Sequence, residues 1–360
     1  MKLENDYSEV IMKYARILII VLIAFGCALP SSRVFGQQYP DIGAGVAPPE
    51  FERVGNAAWQ FLKIPSNARM VGLGGIISNI YGTNDASASF TNPAALSDIE
   101  NLSVSLNTQQ WIADISYQSA AVFKQFGNVG GFGLNMIYLD YGNMQRTANE
   151  IIDRSPQVKQ VRPNLDLGTF SAYDMMVGLS YTRQISSQLQ FGTNIKFLQE
   201  KLDDATTSAF AIDIGTVYYT GIRSFRIAML GRNFGPDAAF SEFEGRIALS
   251  AAKLKLPMTF VLGGAIDILE GNDSPHKWTL ASEFIHTNDA SEKINLGTEY
   301  SFMDIAYLRG GYRFNYDEEG LTLGGGLNIN AGGFSARVDY SYMDFGRLGD
   351  ISMISVVLGM

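Results

Sequence analysis

The residues of this chain whose types could support chemistry are two acidic pairs and two histidines. Asp203-Asp204 and Glu318-Glu319 are paired carboxylates of the kind general acid–base work uses, but both fall at turns. His276 follows Pro275 in an expected turn, His286 lies near the end of an expected strand, and no partner is evident for either. No Ser-His-Asp order, phosphate loop or metal motif is present. Gly72-x-Gly74 lacks the third glycine and the surrounding βαβ unit of a dinucleotide site. Cys27 is the single cysteine, which excludes an internal disulfide framework and a cysteine zinc site. The net charge of -9, without any basic block, argues against a nucleic-acid role. No catalytic residue, cofactor or metal is therefore expected.

A second set of charges has a different setting. Lys196, Glu283, Glu299, Arg309, Arg313, Arg337 and Asp339 stand on the polar phase of alternating stretches. In Phe334-Ser-Ala336-Arg-Val338-Asp-Tyr340-Ser-Tyr342, one face is apolar while Arg337 and Asp339 share the other. The same period of two runs through Tyr173–Tyr181, Leu189–Phe197 and Ile294–Phe302. Such stretches run to about ten to twelve residues, longer than the five or six of a soluble sandwich and long enough to cross a bilayer at a tilt. Aromatic residues near their ends, such as Tyr173, Tyr181, Tyr300 and Phe302, match the girdles of a membrane barrel. Charged residues are only 18% of the chain and aromatics 12%, which suits an outer surface facing lipid. Mean hydropathy is +0.04, too low for a helical bundle. The fold expected is all-β, a transmembrane antiparallel β-barrel of about fourteen strands within residues 101–360. These seven charges then face the lumen, either as an ion-pair network or as a selectivity device for a polar solute.

Strands are expected near 101–108, 117–125, 129–140, 171–183, 188–200, 208–219, 223–232, 258–268, 277–287, 291–302, 304–314, 320–330, 332–343 and 351–360. With the first strand starting in the periplasm, the two long connections, 141–170 and 233–257, both fall outside, the asymmetry of outer-membrane barrels. Connection 141–170 carries mixed charge and reads as solvated. Connection 233–257 is apolar for an outer loop, and its Phe240, Phe243 and Leu254 are candidates for a partner surface. Trp111, Ile112 and Ile115 in the first outer connection either form such a surface or fold back over the barrel mouth.

Upstream, Ile17–Leu29 is an apolar run of about 13 residues, too short to span as a helix. Lys13 and Arg16 precede it and small residues follow, so residues 1–36 read as a secretory signal peptide, with Met12 as an alternative start. Cys27 as a lipid acceptor is disfavoured by Phe25. Residues 37–100 are rich in Gly, Ala and Asn and alternate poorly, which suggests small helices and tight turns. Within them the Asn92-Pro93-Ala94 turn is structural on backbone grounds, since Asn closes turns and Pro fixes φ.

Phe61–Ile64 with Asn67–Gly75, Asp85–Ala88, Asn92–Ala94, Trp111–Ile115 and Tyr138–Gly142 resemble the PorV/PorQ family. The resemblance covers residues 59–142. It implies an outer-membrane protein of Bacteroidetes-like bacteria, related to FadL-type barrels with fourteen strands and an N-terminal hatch plugging the lumen. Residues 37–100 would be that periplasmic or hatch segment, and the Asn92-Pro93-Ala94 turn could take part in gating. PorV-type relatives belong to the type IX protein secretion system and bind the C-terminal signals of cargo. The partners so implied are outer-membrane lipid, the secretion translocon and cargo C-terminal domains. FadL relatives instead pass hydrophobic molecules through an opening in the wall, which makes such transport the alternative. The chain departs from the barrel pattern in ending Val357-Leu358-Gly359-Met360 rather than on an aromatic residue.

Overall fold

The computed structural model describes residues 57–78, 84–155, 158–164, 167–238, 254–269 and 275–360. The signal segment, Cys27, Phe240 and Phe243 lie outside them. The period-two stretches form strands β1 (Leu102–Gln110), β2 (Ser116–Gln125), β3 (Gly131–Gln145), β4 (Ala148–Ser155), β5 (Val158–Asn164), β6 (Thr169–Gln184), β7 (Leu189–Leu202) and β8 (Ala205–Tyr219). They continue as β9 (Arg226–Phe234), β10 (Thr259–Leu269), β11 (His276–Thr287), β12 (Ala290–Phe302), β13 (Ala306–Phe314), β14 (Leu321–Ala331), β15 (Phe334–Asp344) and β16 (Asp350–Gly359).

All of these except β4 and β5 make one closed antiparallel barrel of fourteen strands. Closure is made by β1 against β16, in register from Ser103 opposite Gly359 to Gln109 opposite Met353. Every other barrel pair is a sequential neighbour, apart from β3 with β6, which flank the β4–β5 hairpin. Because side chains alternate, one face of each strand meets lipid and the other the lumen. Leu308 is 67% and Ile329 68% exposed, while Asp339, Asn194 and Asp213 are wholly buried. That inversion of the soluble pattern identifies the outside of the wall as the apolar face. Among the described residues no helix is long and apolar enough to cross a membrane, and the crossing is made by strands.

Two details depart from the sequence reading. The 141–170 connection contains the β4–β5 hairpin, paired from Ala148 opposite Asn164 to Ser155 opposite Val158. Backbone pairing of two strands needs no apolar face, so period-two patterning does not reveal it. His276 opens β11 instead of sitting in a turn, and both histidines have partners: His276 Nδ1 lies 2.6 Å from Tyr300 Oη, and His286 Nδ1 lies 3.3 Å from Glu292 Oε1.

Candidate functional site

The lumen is occupied by the chain's own residues 57–78 and 84–99. Ala58 N donates to Lys255 O at 3.0 Å, which sets this stretch at the end bearing the long connections. It then runs through a 3₁₀ turn (Gln60–Lys63), a short helix (Ala68–Gly72) and two further 3₁₀ turns (Ala86–Phe90 and Pro93–Asp98) before entering β1 at the opposite end. Short helices inside a barrel leave backbone donors that water cannot reach, so each needs a cap. Asn67 accepts from Met70 N, Asp85 from Ser87 N and Asn92 from Ala94 N, with Pro93 at the first position of its turn. The apolar side chains of these turns, among them Trp59, Phe61, Leu62, Val71, Phe90 and Leu96, form one buried cluster with Tyr117, Phe123, Leu139, Met176 and Leu198 of the wall.

Glycines let the inner segment approach the wall. Gly74 has φ +76°, and a Cβ there would meet Leu296 O at 2.3 Å. A Cβ on Gly311 would meet Gly74 N at 2.2 Å, and one on Gly297 would meet Leu73 O at 2.3 Å. The Gly72-Leu73-Gly74-Gly75 motif is therefore a docking surface against a glycine-lined part of β12–β14. The Asn92-Pro93-Ala94 turn docks similarly on β7 and β8: a Cβ on Gly192 would meet Ala94 N at 2.3 Å, and one on Gly215 would meet Asn92 Oδ1 at 2.0 Å. Asn92 Nδ2 donates to Ser78 O at 2.9 Å and to Thr216 O at 3.3 Å, so the turn joins two parts of the inner segment to β8.

All seven charges read from the sequence as lumenal stand on the inner face, six of them buried and Arg337 half-buried. Four of them, with two from the inner segment, form a chain of five acid–base contacts. Arg69 is bidentate on Glu299 (2.7 and 2.9 Å), and Glu299 accepts from Arg309 Nε (2.6 Å). Arg309 and Arg337 both donate to Asp339 (2.6 and 2.7 Å), and Arg337 reaches Asp85 at 2.5 Å. Signs alternate along this chain of six groups, so each charge has an opposite partner. Glu283 accepts from the backbone N–H groups of Ile77 and Ser78 and from Asn295 Nδ2. Arg313 lies 3.6 Å from Glu319 and 3.2 Å from Met343 Sδ. Lys196 sits elsewhere, with Asp213 at 2.7 Å and Asn233 Oδ1 at 2.6 Å. Arg69, Asp85 and Asp213 were not singled out from the sequence. The first two lie inside the quoted motifs, and Asp213 holds an inward position of β8, but alternation names a face and not a partner.

The candidate partner residues at the mouth have a definite setting. Trp111, Ile112 and Ile115 are half-buried and pack against the inner cluster, with the Trp111 ring edge-on to Phe345 at 5.1 Å. Leu254 is half-buried beside Ala238, with which it exchanges backbone hydrogen bonds. Phe61, Trp111, Tyr141 and Leu139 line a pocket of about 250 Å³ at this mouth, with Lys63 and Glu319 at its edge.

A larger recess, of about 620 Å³, lies in the wall itself. It spans four strands and is lined by Leu106 and Thr108 (β1), Ala120 (β2), Met136 and Tyr138 (β3), and Ile354 and Val356 (β16). Its lining also includes Asn107 and Ser119, whose side chains are buried toward the lumen. Ser119 Oγ donates to Ser66 O of the inner segment at 3.0 Å. A single layer of wall thus separates the recess from the lumenal segment. Behind it, Asn107 Oδ1 and Gln109 Oε1 are buried without a hydrogen-bond partner among the described residues. The sequence reading did not mark this region as a recess, because its outward residues fit the lipid-facing alternation singly.

Closed strands with an apolar exterior and a chain-filled, ion-paired lumen define an outer-membrane β-barrel, and its fold is FadL-like. It resembles the Ralstonia pickettii toluene transporter TbuX (13% identity, 83% of this chain and 98% of that one, TM-score 0.51). It also resembles the P. putida toluene transporter TodX (12% identity, 82% and 98%, TM-score 0.51) and a Pseudomonas aeruginosa FadL homologue (10% identity, 81% and 97%, TM-score 0.50). No protein-family model and no curated protein sequence matches the chain.

Proposed function

We propose that this protein passes hydrophobic small molecules through the outer membrane by way of the wall recess between β16 and β3. The observation that carries the reading is the recess itself: apolar side chains open it to lipid, and it ends one layer from a lumen that is already filled. A filled axis suits a hydrophobic solute that moves sideways, since such a solute gains by staying out of water. Toluene transporters share the fold, and the volume of about 620 Å³ accommodates a monoaromatic hydrocarbon. The test is uptake of labelled toluene into proteoliposomes, comparing the native chain with Ala120→Trp, which fills the recess from the lipid side. Loss of protein-dependent uptake in the variant supports the reading, and equal uptake by both proteins or none by the native chain overturns it.

A second reading is favoured by the motifs in residues 59–142, which resemble the PorV/PorQ family. It makes the protein a secretion component that carries cargo through its C-terminal signal. The part of Trp111, Ile112 and Ile115 left accessible at the mouth, although these side chains pack inward, offers it a contact surface. Its test is affinity capture from the native outer membrane in mild detergent. Recovery of a large translocon barrel or of proteins sharing a C-terminal sorting domain supports it. Recovery of the barrel alone, with bound lipid, overturns it.

A further inference from the structure

Two cations stand on the lipid-facing surface of the wall, near the end bearing the short connections. Lys124 (β2) and Arg183 (β6) both point outward and are exposed. Neither is paired with a carboxylate among the described residues. A charge on the lipid face is tolerated only near the interface, so these two mark where headgroups begin.

The strand between them supplies the rest of a site. Lys124 is opposite Phe132 on β3, and Phe132 is opposite Tyr181 on β6. Phe126, Phe132 and Tyr181 make a continuous aromatic cluster, with ring centroids 6.0 and 5.1 Å apart. Lys124 Nζ lies 5.7 Å from the Phe126 ring centroid. Tyr181 Oη donates to Val129 O at 2.9 Å, which ties the β2–β3 turn to β6 and holds the cluster in place. Two strand spacings and two residues of rise separate the Lys124 and Arg183 backbones by roughly 12 Å, a gap that two long side chains can close on one phosphate. Phe126 is 52% and Phe132 43% exposed, and the surface continues into Leu134 and Leu179, each 55% exposed. The cluster is therefore continuous with the lipid-facing band. Along β3, the outward residues after Phe132 are Leu134 and then Met136, which lines the wall recess.

We propose that this rim binds one anionic phospholipid, its phosphate held between Lys124 and Arg183 and its acyl chains laid on the aromatic cluster and along β3. Arg183 and Phe126 lie on the water side, Lys124, Phe132 and Tyr181 are level across the three strands, and Leu134 and Leu179 lie deeper, a polar-to-apolar gradient that suits a phospholipid. The site stands whether or not the recess transports a solute.

Native mass spectrometry of the full chain in detergent, with equimolar phosphatidylglycerol and phosphatidylcholine, tests it. The native protein retains phosphatidylglycerol preferentially. Each cation contributes about fivefold to that preference, so Lys124→Gln/Arg183→Gln weakens phosphatidylglycerol more than phosphatidylcholine, whose choline offsets its phosphate, and brings the two lipids close to parity. Lys124→Gln alone gives the single step should the double variant fail to assemble. Phe132→Ala weakens both lipids. Equal retention of the two lipids by the native chain, an undiminished preference in the cation variants, or unchanged binding by Phe132→Ala overturns the proposal.

Discussion

The Arg69 guanidinium donates twice to Glu299, from Nε to Oε2 at 2.9 Å and from Nη2 to Oε1 at 2.7 Å, and so ties the lumenal segment to β12. Both side chains are nearly inaccessible, at 10% and 7% exposure. Removing one member of a buried pair strands the other and typically costs about 3–5 kcal/mol. Arg309 also donates to Glu299, so the lower end of that range applies to Arg69→Met, about 3 kcal/mol. The loss falls on docking of the inner segment more than on the strand ladder. Arg69→Met therefore becomes sensitive to protease within residues 57–78 while keeping its β-sheet circular dichroism. Unchanged protease resistance would mean that the glycine contacts alone hold the segment.

Those glycine contacts make a separate prediction. At Gly74 a side chain faces both a positive φ of 76° and a carbonyl oxygen 2.3 Å away, neither of which a rotamer change can relieve. Gly74→Ala lowers the unfolding midpoint in detergent, with a cost of about 2 kcal/mol or more. Gly310, which has nothing within 4 Å of its Cβ position, is the control on the adjacent position of the same strand as Gly311. Gly310→Ala leaves the midpoint unchanged, whereas Gly311→Ala lowers it, because the added methyl meets Gly74 N.

Much of this was legible in the sequence, and the limits have one physical source. A period of two states which face of a strand a residue occupies. It therefore placed the strands and set Glu299, Arg309 and Asp339 together on polar phases. It says nothing of which strand lies across the lumen, so the Arg69–Glu299 pair, 230 residues apart, was hidden. The same holds for Gly74 against Gly311, whose meaning is a distance of approach and not a pattern. Trp111, Ile112 and Ile115 left two settings open because a short apolar loop can fold either way. The structure packs them against the inner cluster, with Trp111 on Phe345. The wall recess was invisible because it is a hollow among outward side chains of four paired strands, three of them adjacent in sequence and the fourth brought in only by closure of β1 on β16.

Lys196 offers a test of the wall independent of the inner segment. Its side chain is 2% exposed, and the ammonium contacts Asp213 at 2.7 Å and Asn233 at 2.6 Å. Asp213 in turn accepts from Asn233 N at 2.8 Å, which anchors the end of β9. Lys196→Met leaves the Asp213 carboxylate buried without its cation, at a cost of about 3–5 kcal/mol. Replacing both partners, as in Lys196→Met/Asp213→Leu, removes the stranded charge and recovers most of that loss. Thermal unfolding of the three variants in detergent checks the order. A double variant no more stable than Lys196→Met would show that the hydrogen bond to Asn233, and not the charge, is what β9 needs.

Outside the membrane, Glu318 and Arg347 join two connections at the same mouth. Arg347 donates from Nε to Glu318 Oε1 at 2.8 Å and from its backbone N to Oε2 at 3.1 Å. The Arg347 side-chain hydrogen bond holds the Glu318 carboxyl below its ordinary range, with the backbone bond adding to it. A carboxyl lowered in the folded state binds its proton more readily when the loops open. Its contribution is therefore present above the ordinary glutamate value, about 4.3, and is lost as pH falls through the lower folded value. Hydrogen exchange at the Arg347 amide, corrected for intrinsic rate, stays protected at neutral pH and loses protection on acidification through that window. In Glu318→Gln the carboxylate is gone, so protection is weaker at neutral pH and no longer changes with acid. Equal pH dependence in the two proteins would show that the Glu318 carboxylate is not what orders this mouth.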